Sequence, residues 1–169
     1  ASDVYKRQLQ ERVDIAPDDT VKSVYFEKLY PLGIRMIAEA VGLIREGKAT
    51  PTDQDESLAS FQPVISTSDT VIDWRQSTET IYNLIRGSNP SPGAVTRLGD
   101  QTCALYDATP GDQQGEPGTV IGIAPDGFTV ATGDGAITIN SAKPPRQKKL
   151  AASDFVTSLN LKVGDQFTS

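Results

Sequence analysis

At 169 residues with 37% apolar side chains, the chain is long enough to bury a core, and none of its runs reaches the about eighteen apolar residues needed to cross a bilayer. A formal net charge of −6 argues against a generally basic nucleic-acid binder, although it leaves room for a local basic surface. One cysteine, Cys103, and no histidine exclude an internal disulfide framework and a zinc site, and with no signal-peptide pattern a cytoplasmic location is expected by default.

Asp18-Asp19-Thr20 predicts a helix start, because acidic groups favour the positive end of the helix dipole and Asp19 or Thr20 can accept from a free backbone N–H. Val21, Val24, Tyr25 and Leu29 then share a face, and Leu32, Met36, Ile37, Ala40, Val41 and Ile44 continue at spacings of three and four up to Gly47. Pro31 either opens a second helix or kinks one long one. In either case the stripe needs a partner surface. Thr50 to Ser68, rich in Ser, Thr, Asp, Gln and Pro, reads as an extended linker, yet Leu58, Phe61, Val64 and Ile65 are too apolar for a free tether. From Ala49 to Thr80 six carboxylates face Arg75 alone, so the acidity of the chain concentrates there.

Trp74, the only tryptophan, is expected to dock this segment against a neighbouring surface. A short helix follows from Thr78 to Arg86 with Ile81, Leu84 and Ile85 turned inward, and Pro90 and Pro92 then stop it in an elbow closed by Gly93. After Gly93 the texture changes to short strands: Ala94 to Leu98, Gln101 to Tyr106, Gly118 to Ile123, Phe128 to Thr132 and Ala136 to Asn140. Gly99-Asp100, Asp126-Gly127 and Gly133-Asp134-Gly135 separate them, the last two as strong hairpin signals. A brief helix from Ser153 to Leu159 and a strand from Leu161 to Phe167 complete a small closed or partly open barrel. Gly133-Asp134-Gly135 reads as a hairpin turn, not a phosphate loop, and Cys103 as a small core residue, not a nucleophile.

Pro17-Asp18-Asp19-Thr20, Leu29-Tyr30-Pro31-Leu32-Gly33, Gln54-Asp55-Glu56-Ser57-Leu58-Ala59, the elbow Ile85 to Ala94, Gly118-Thr119-Val120, Ala131-Thr132-Gly133-Asp134-Gly135 and Leu161-Lys162-Val163-Gly164-Asp165 occur in one order. Together they resemble the folate-dependent formyltransferases over nearly the whole chain after Gln10. The resemblance implies an α+β chain: a helical remnant of a Rossmann-like catalytic domain and a linker, followed by a small OB-like β-barrel. The implied boundaries are 8–48 for the helical tail, 49–70 for the linker and 71–169 for the C-terminal domain. Residues 1–7 read as a leader foreign to the rest, so Asp3 is not counted as catalytic.

Several expectations follow from the resemblance alone. The family's catalytic Asn, His and Asp belong to its N-terminal domain, so no catalytic residue and no metal ligand is assigned here. This piece is expected to be inactive alone and to hold no cofactor, while the intact enzyme uses 10-formyltetrahydrofolate and the N-terminal catalytic domain is an expected partner. Arg86 and Asn89 on the elbow are candidate substrate contacts. Lys143, Arg146, Lys148 and Lys149, the only basic cluster, are candidate tRNA contacts through phosphates. The main reading is a methionyl-tRNA formyltransferase acting on initiator Met-tRNA, although Ser91 stands where that branch commonly has Trp. The alternatives are the hydrolase of 10-formyltetrahydrofolate dehydrogenase, a sugar-nucleotide N-formyltransferase, and a non-catalytic RNA- or protein-binding barrel.

Overall fold

A computed structural model describes residues 6–50 and 52–169. The chain divides into two compact units, Ala1–Val64 and Ile65–Ser169. Of the expected leader, residues 1–5, Asp3 among them, lie outside the described residues.

In the first unit a two-residue strand β1 (Lys6–Arg7) pairs antiparallel with β2 (Thr52–Asp53). Thr20 caps the helix that follows: its hydroxyl accepts from the Ser23 N–H at 3.1 Å while Ser23 Oγ accepts from the Thr20 N–H at 3.0 Å, a reciprocal capping box. Asp19 accepts from the Lys28 ammonium, the Ala16 N–H and the Ser23 hydroxyl, and the Lys28 bond above all lowers its carboxyl to about 2. The helical path runs through α1 (Val21–Ser23), a π-helical turn (Val24–Leu29) and α2 (Tyr30–Arg45). Pro31 therefore does not break the path. Its ring crowds the carbonyl four residues back and it has no N–H to give, and the wider π turn, with the Tyr30 N–H bonding to the Tyr25 carbonyl, accommodates both.

The path ends in a Schellman motif. Gly47, at φ +67°, donates to the Ile44 carbonyl and Lys48 to that of Leu43. None of the helical residues is buried: Tyr30, Ile34, Ile37, Val41 and Ile44 form an exposed stripe at spacings of four and three, with Ile37 68% exposed.

The second unit is a curled antiparallel sheet with a helix packed into it. A 3₁₀ turn (Thr67–Thr70) leads to Ile72, whose N–H bonds to the Val95 carbonyl at 2.8 Å, and then to α3 (Thr78–Gly87). Strands β3 (Ala94–Leu98), β4 (Gln101–Gly111), β5 (Val120–Ala124), β6 (Gly127–Ala131) and β7 (Ala136–Lys143) are followed by β8 (Leu150–Ala151), α4 (Ala152–Leu159) and β9 (Phe167–Thr168). The order is β5-β6-β7-β4-β3-β9, with β8 added beside β7. The curl brings the two ends together: Val120 N–H bonds to the Asp165 carbonyl and Phe167 N–H to that of Gly118. These bonds cover edges that would otherwise stay open.

Inside the curl, Phe128 stacks on Phe155 of α4 at 5.4 Å between centroids and on Phe167 at 5.9 Å, and Trp74 packs against Phe167 at 6.0 Å. Ile81 and Ile85 of α3, Leu105, Ile137 and Ile139 complete this core, while Leu84 is only partly covered. Trp74 is 3% exposed and donates its indole N–H to Thr96 Oγ1 at 3.0 Å, and Thr96 passes a bond to the Thr168 carbonyl at 2.8 Å. The docking role expected of Trp74 is thus a core role.

The strands differ from expectation in extent. β4 runs five residues past Tyr106, to Gly111, β7 runs three past Asn140, to Lys143, the short β8 has no counterpart among the expected strands, and of the expected last strand only Phe167 is extended ladder. Before it, Asp165 accepts from the Lys162 N–H and Gly164 takes φ +98°, making Lys162 to Asp165 a turn.

Candidate nucleic-acid interface

Four of the eight basic residues of the second unit sit on one hairpin. β7 ends at Lys143, the chain turns through Pro144 to Lys149 with Arg146 in the left-handed region (φ +59°), and β8 folds back with Ser141 opposite Ala151. Lys143, Arg146 and Lys148 are exposed and form no ion pair among the described residues. Lys149 differs: its ammonium donates to Asp107 Oδ2 at 2.7 Å and stands 4.9 Å from the centre of the Tyr106 ring.

Asp107 gathers the rest of the site. Its Oδ1 accepts from Asn89 Nδ2 at 2.8 Å, and Oδ2 accepts also from the Ser141 hydroxyl. Partial burial alone would raise this carboxyl, but the bonds from Lys149, Ser141 and Asn89 outweigh it and hold the group below its ordinary range. Neighbours along a regular strand point to opposite faces. Asp107 sits at φ +45°, however, and this turn lets both it and Tyr106 reach Lys149. Asp and Asn tolerate that conformation better than most residues.

The elbow docks onto the same place. Both peptide bonds Asn89–Pro90 and Ser91–Pro92 are cis, where the sequence suggested only an extended path. The Tyr106 hydroxyl donates to the Pro92 carbonyl at 3.3 Å, and burial, followed by the Asp107 charge, pushes its phenol up. Gly93, at φ +89°, lies so close to the Tyr106 ring that a Cβ there would overlap it. Asn89 is 4% exposed and bonded inside the fold, whereas Arg86 is half-buried and donates to Asn83 Oδ1 at 2.7 Å. The structure thus brings Asn89 and Lys149 to one carboxylate and leaves Arg86 apart from it. Asp107, Ser141 and Tyr106 escaped sequence reasoning, since their partners lie 14 to 43 residues away and no local spacing announces them.

Elsewhere the unit offers little chemistry. Cys103 is 2% exposed, and burial raises its thiol to about 11. Asp134 accepts from the Thr78 N–H at 2.7 Å and from its hydroxyl at 2.9 Å, tying the Gly133–Gly135 turn to the start of α3. The described residues contain no group of three or more side chains that could hold a metal, and none of their helices is long and apolar enough to cross a membrane.

The family model described as formyl transferase, C-terminal domain, matches residues 64–160. The chain belongs to this family. Methionyl-tRNA formyltransferase of Geobacter metallireducens is 32% identical over 156 residues, covering 92% of this chain and 50% of that protein. Methionyl-tRNA formyltransferase of Bacillus licheniformis is 37% identical over 155 residues, with coverages of 90% and 49%. The chain therefore spans about half the length of the curated relatives it matches. HypX from Aquifex aeolicus, solved in complex with tetrahydrofolic acid, shares the fold at a TM-score of 0.74 and 21% identity, over 93% of this chain and 30% of HypX. The α+β reading from sequence, a helical segment followed by a small barrel, holds for this member of the formyltransferase C-terminal family, the barrel being a curled half-barrel sheet.

Proposed function

We propose that this chain forms the C-terminal half of a methionyl-tRNA formyltransferase. The observation that carries the reading is 32% to 37% identity, over nine-tenths of the chain, to proteins of that name. In this reading residues 8–48 are the helical tail of the catalytic domain, 49–70 a linker and 71–169 the accessory barrel. The exposed stripe from Tyr30 to Ile44 then covers itself on the N-terminal half of the enzyme, since a contiguous apolar patch of this kind marks an interaction surface.

The barrel grips tRNA through the β7–β8 hairpin. Exposed Lys and Arg side chains neutralise phosphates and so fix position without reading bases. Arg86, at the end of α3, remains the candidate contact nearer the reacting amine.

Tetrahydrofolate is a poor fit to one cleft of the second unit. The cleft of about 380 Å³ lined by Thr78, Glu79, Tyr82, Pro110, Gly111, Asp112 and Asp134 carries three carboxylates and no cation, which repels the glutamate tail of a folate. The formyl donor and the chemistry are accordingly assigned to the N-terminal half, and the chain alone is expected to be inactive. Titration of the purified chain with an RNA duplex of acceptor-stem length, across a range of salt, tests the binding reading. Association should weaken linearly in log–log form, with a slope that is shallower by up to roughly 0.9 in Lys148→Gln. Absence of binding at low salt overturns the tRNA assignment, and formyl transfer by the chain alone overturns the assignment of chemistry elsewhere.

A further inference from the structure

We infer that Lys149 is a positioning residue of the RNA-binding hairpin and not one of its phosphate contacts. Its ammonium is already committed: one bond of 2.7 Å to Asp107 and a seat 4.9 Å from the Tyr106 ring centre. A phosphate drawn to Lys149 must either compete with Asp107 for the ammonium or sit beside that carboxylate, and the second is a like-charge contact that opposes binding. Lys143, Arg146 and Lys148 pay no such cost, because none of them is paired among the described residues. The four cations, equivalent by spacing and all exposed, separate into three without an ion-pair partner among the described residues and one that is paired.

The anchor also reaches the elbow. Asp107 accepts from Asn89 at 2.8 Å, and Tyr106, beneath Lys149, donates to the Pro92 carbonyl. Segment 88–93, the middle of β4, and the hairpin loop are therefore held at one carboxylate. Loosening the Lys149–Asp107 pair should loosen both the loop and the elbow, and only then weaken RNA.

The test compares Lys149→Gln, Lys149→Arg, Asp107→Asn and Lys148→Gln in the full 169-residue chain. Asp107→Asn keeps a residue tolerant of positive φ while removing the charge. In the free protein, amide exchange at Gln147–Leu150 and Ser88–Gly93 should quicken about threefold to tenfold in Lys149→Gln and Asp107→Asn, stay unchanged in Lys148→Gln, and be restored in Lys149→Arg. With the acceptor-stem duplex, Lys149→Gln should bind more weakly at every salt concentration along a line parallel to wild type, while Lys148→Gln should lose up to roughly 0.9 of slope. Loss of slope in Lys149→Gln equal to that in Lys148→Gln, or unchanged exchange in the free protein, overturns the inference. The binding arm rests on the RNA reading of the hairpin. If Lys143→Gln, Arg146→Gln and Lys148→Gln all leave the slope intact, that reading fails, and the exchange arm still decides whether Lys149 anchors the loop.

Discussion

Replacing Gly93 by Ala sets two separate penalties on one atom. The backbone at φ +89° is a conformation that a residue with a Cβ occupies at a cost of about 1–3 kcal/mol. The new Cβ would also overlap Tyr106, a buried ring that cannot swing away without dropping its bond to Pro92 and its contact with Lys149, and forced overpacking of this kind costs about 1–3 kcal/mol more. Gly99 is the internal control. It takes φ +57° in the two-residue β3–β4 turn, where a Cβ meets nothing within 4 Å, so Gly99→Ala carries the backbone penalty alone. The difference between the two variants, about 1–3 kcal/mol, reports the ring together with the poorer backbone region at φ +89°, and on a unit of this size corresponds to at least about 4 °C in Tm. Trp74 is the only tryptophan and lies in this core, so its fluorescence follows unfolding of this unit specifically. Urea and thermal melts of both variants, and of Gly93→Ala combined with Tyr106→Ala, give the comparison. A Gly93→Ala protein no less stable than Gly99→Ala would refute the argument, as would a combined variant that regains none of the excess loss.

Thr96→Val should cost about 1–3 kcal/mol by urea unfolding, because it strands the buried Trp74 N–H without an acceptor. Cys103 should react with a thiol reagent in native protein only as fast as the unit opens, and its pH effect has a fixed sign. With the folded thiol raised to about 11, the stabilisation is complete below the unfolded value near 9 and is lost as pH climbs through 11, a loss that Cys103→Val should lack when the two are melted side by side. Asp19 runs the other way. Its folded carboxyl is lowered to about 2, so its contribution is present above the unfolded value of 3.8 and disappears as pH falls through 2; far-UV circular dichroism should show acid fraying of the Val21–Arg45 helix that Asp19→Asn no longer shows in that window.

Local chemistry was readable wherever cause and consequence lie within a few residues. Thr20, Gly47 beyond Arg45, and Asp126-Gly127 between β5 and β6 each place a cap or a turn by their own side chains and φ angles, and the structure puts caps and turns there. Pro31 announced a disturbance without its form, because whether a helix kinks or widens depends on how the neighbouring turn relaxes. The long β4 was cut short in the sequence by Asp107 and Pro110, both poor strand formers, which pairing to β7 overrides. The candidate site was half legible. A basic cluster is visible as composition, but which of its members is free depends on a carboxylate 42 residues from Lys149, and no spacing rule reaches that far.

The relay from Trp74 through Thr96 to Thr168 has a neighbour: the Ser169 hydroxyl donates to the Ile72 carbonyl at 3.0 Å. Residues 72 and 169 of this unit are thus side by side, sewn by hydrogen bonds made within the unit itself. Architecture of that kind is portable. A unit closed in this way can sit behind different upstream sequences without its interior having to register the change.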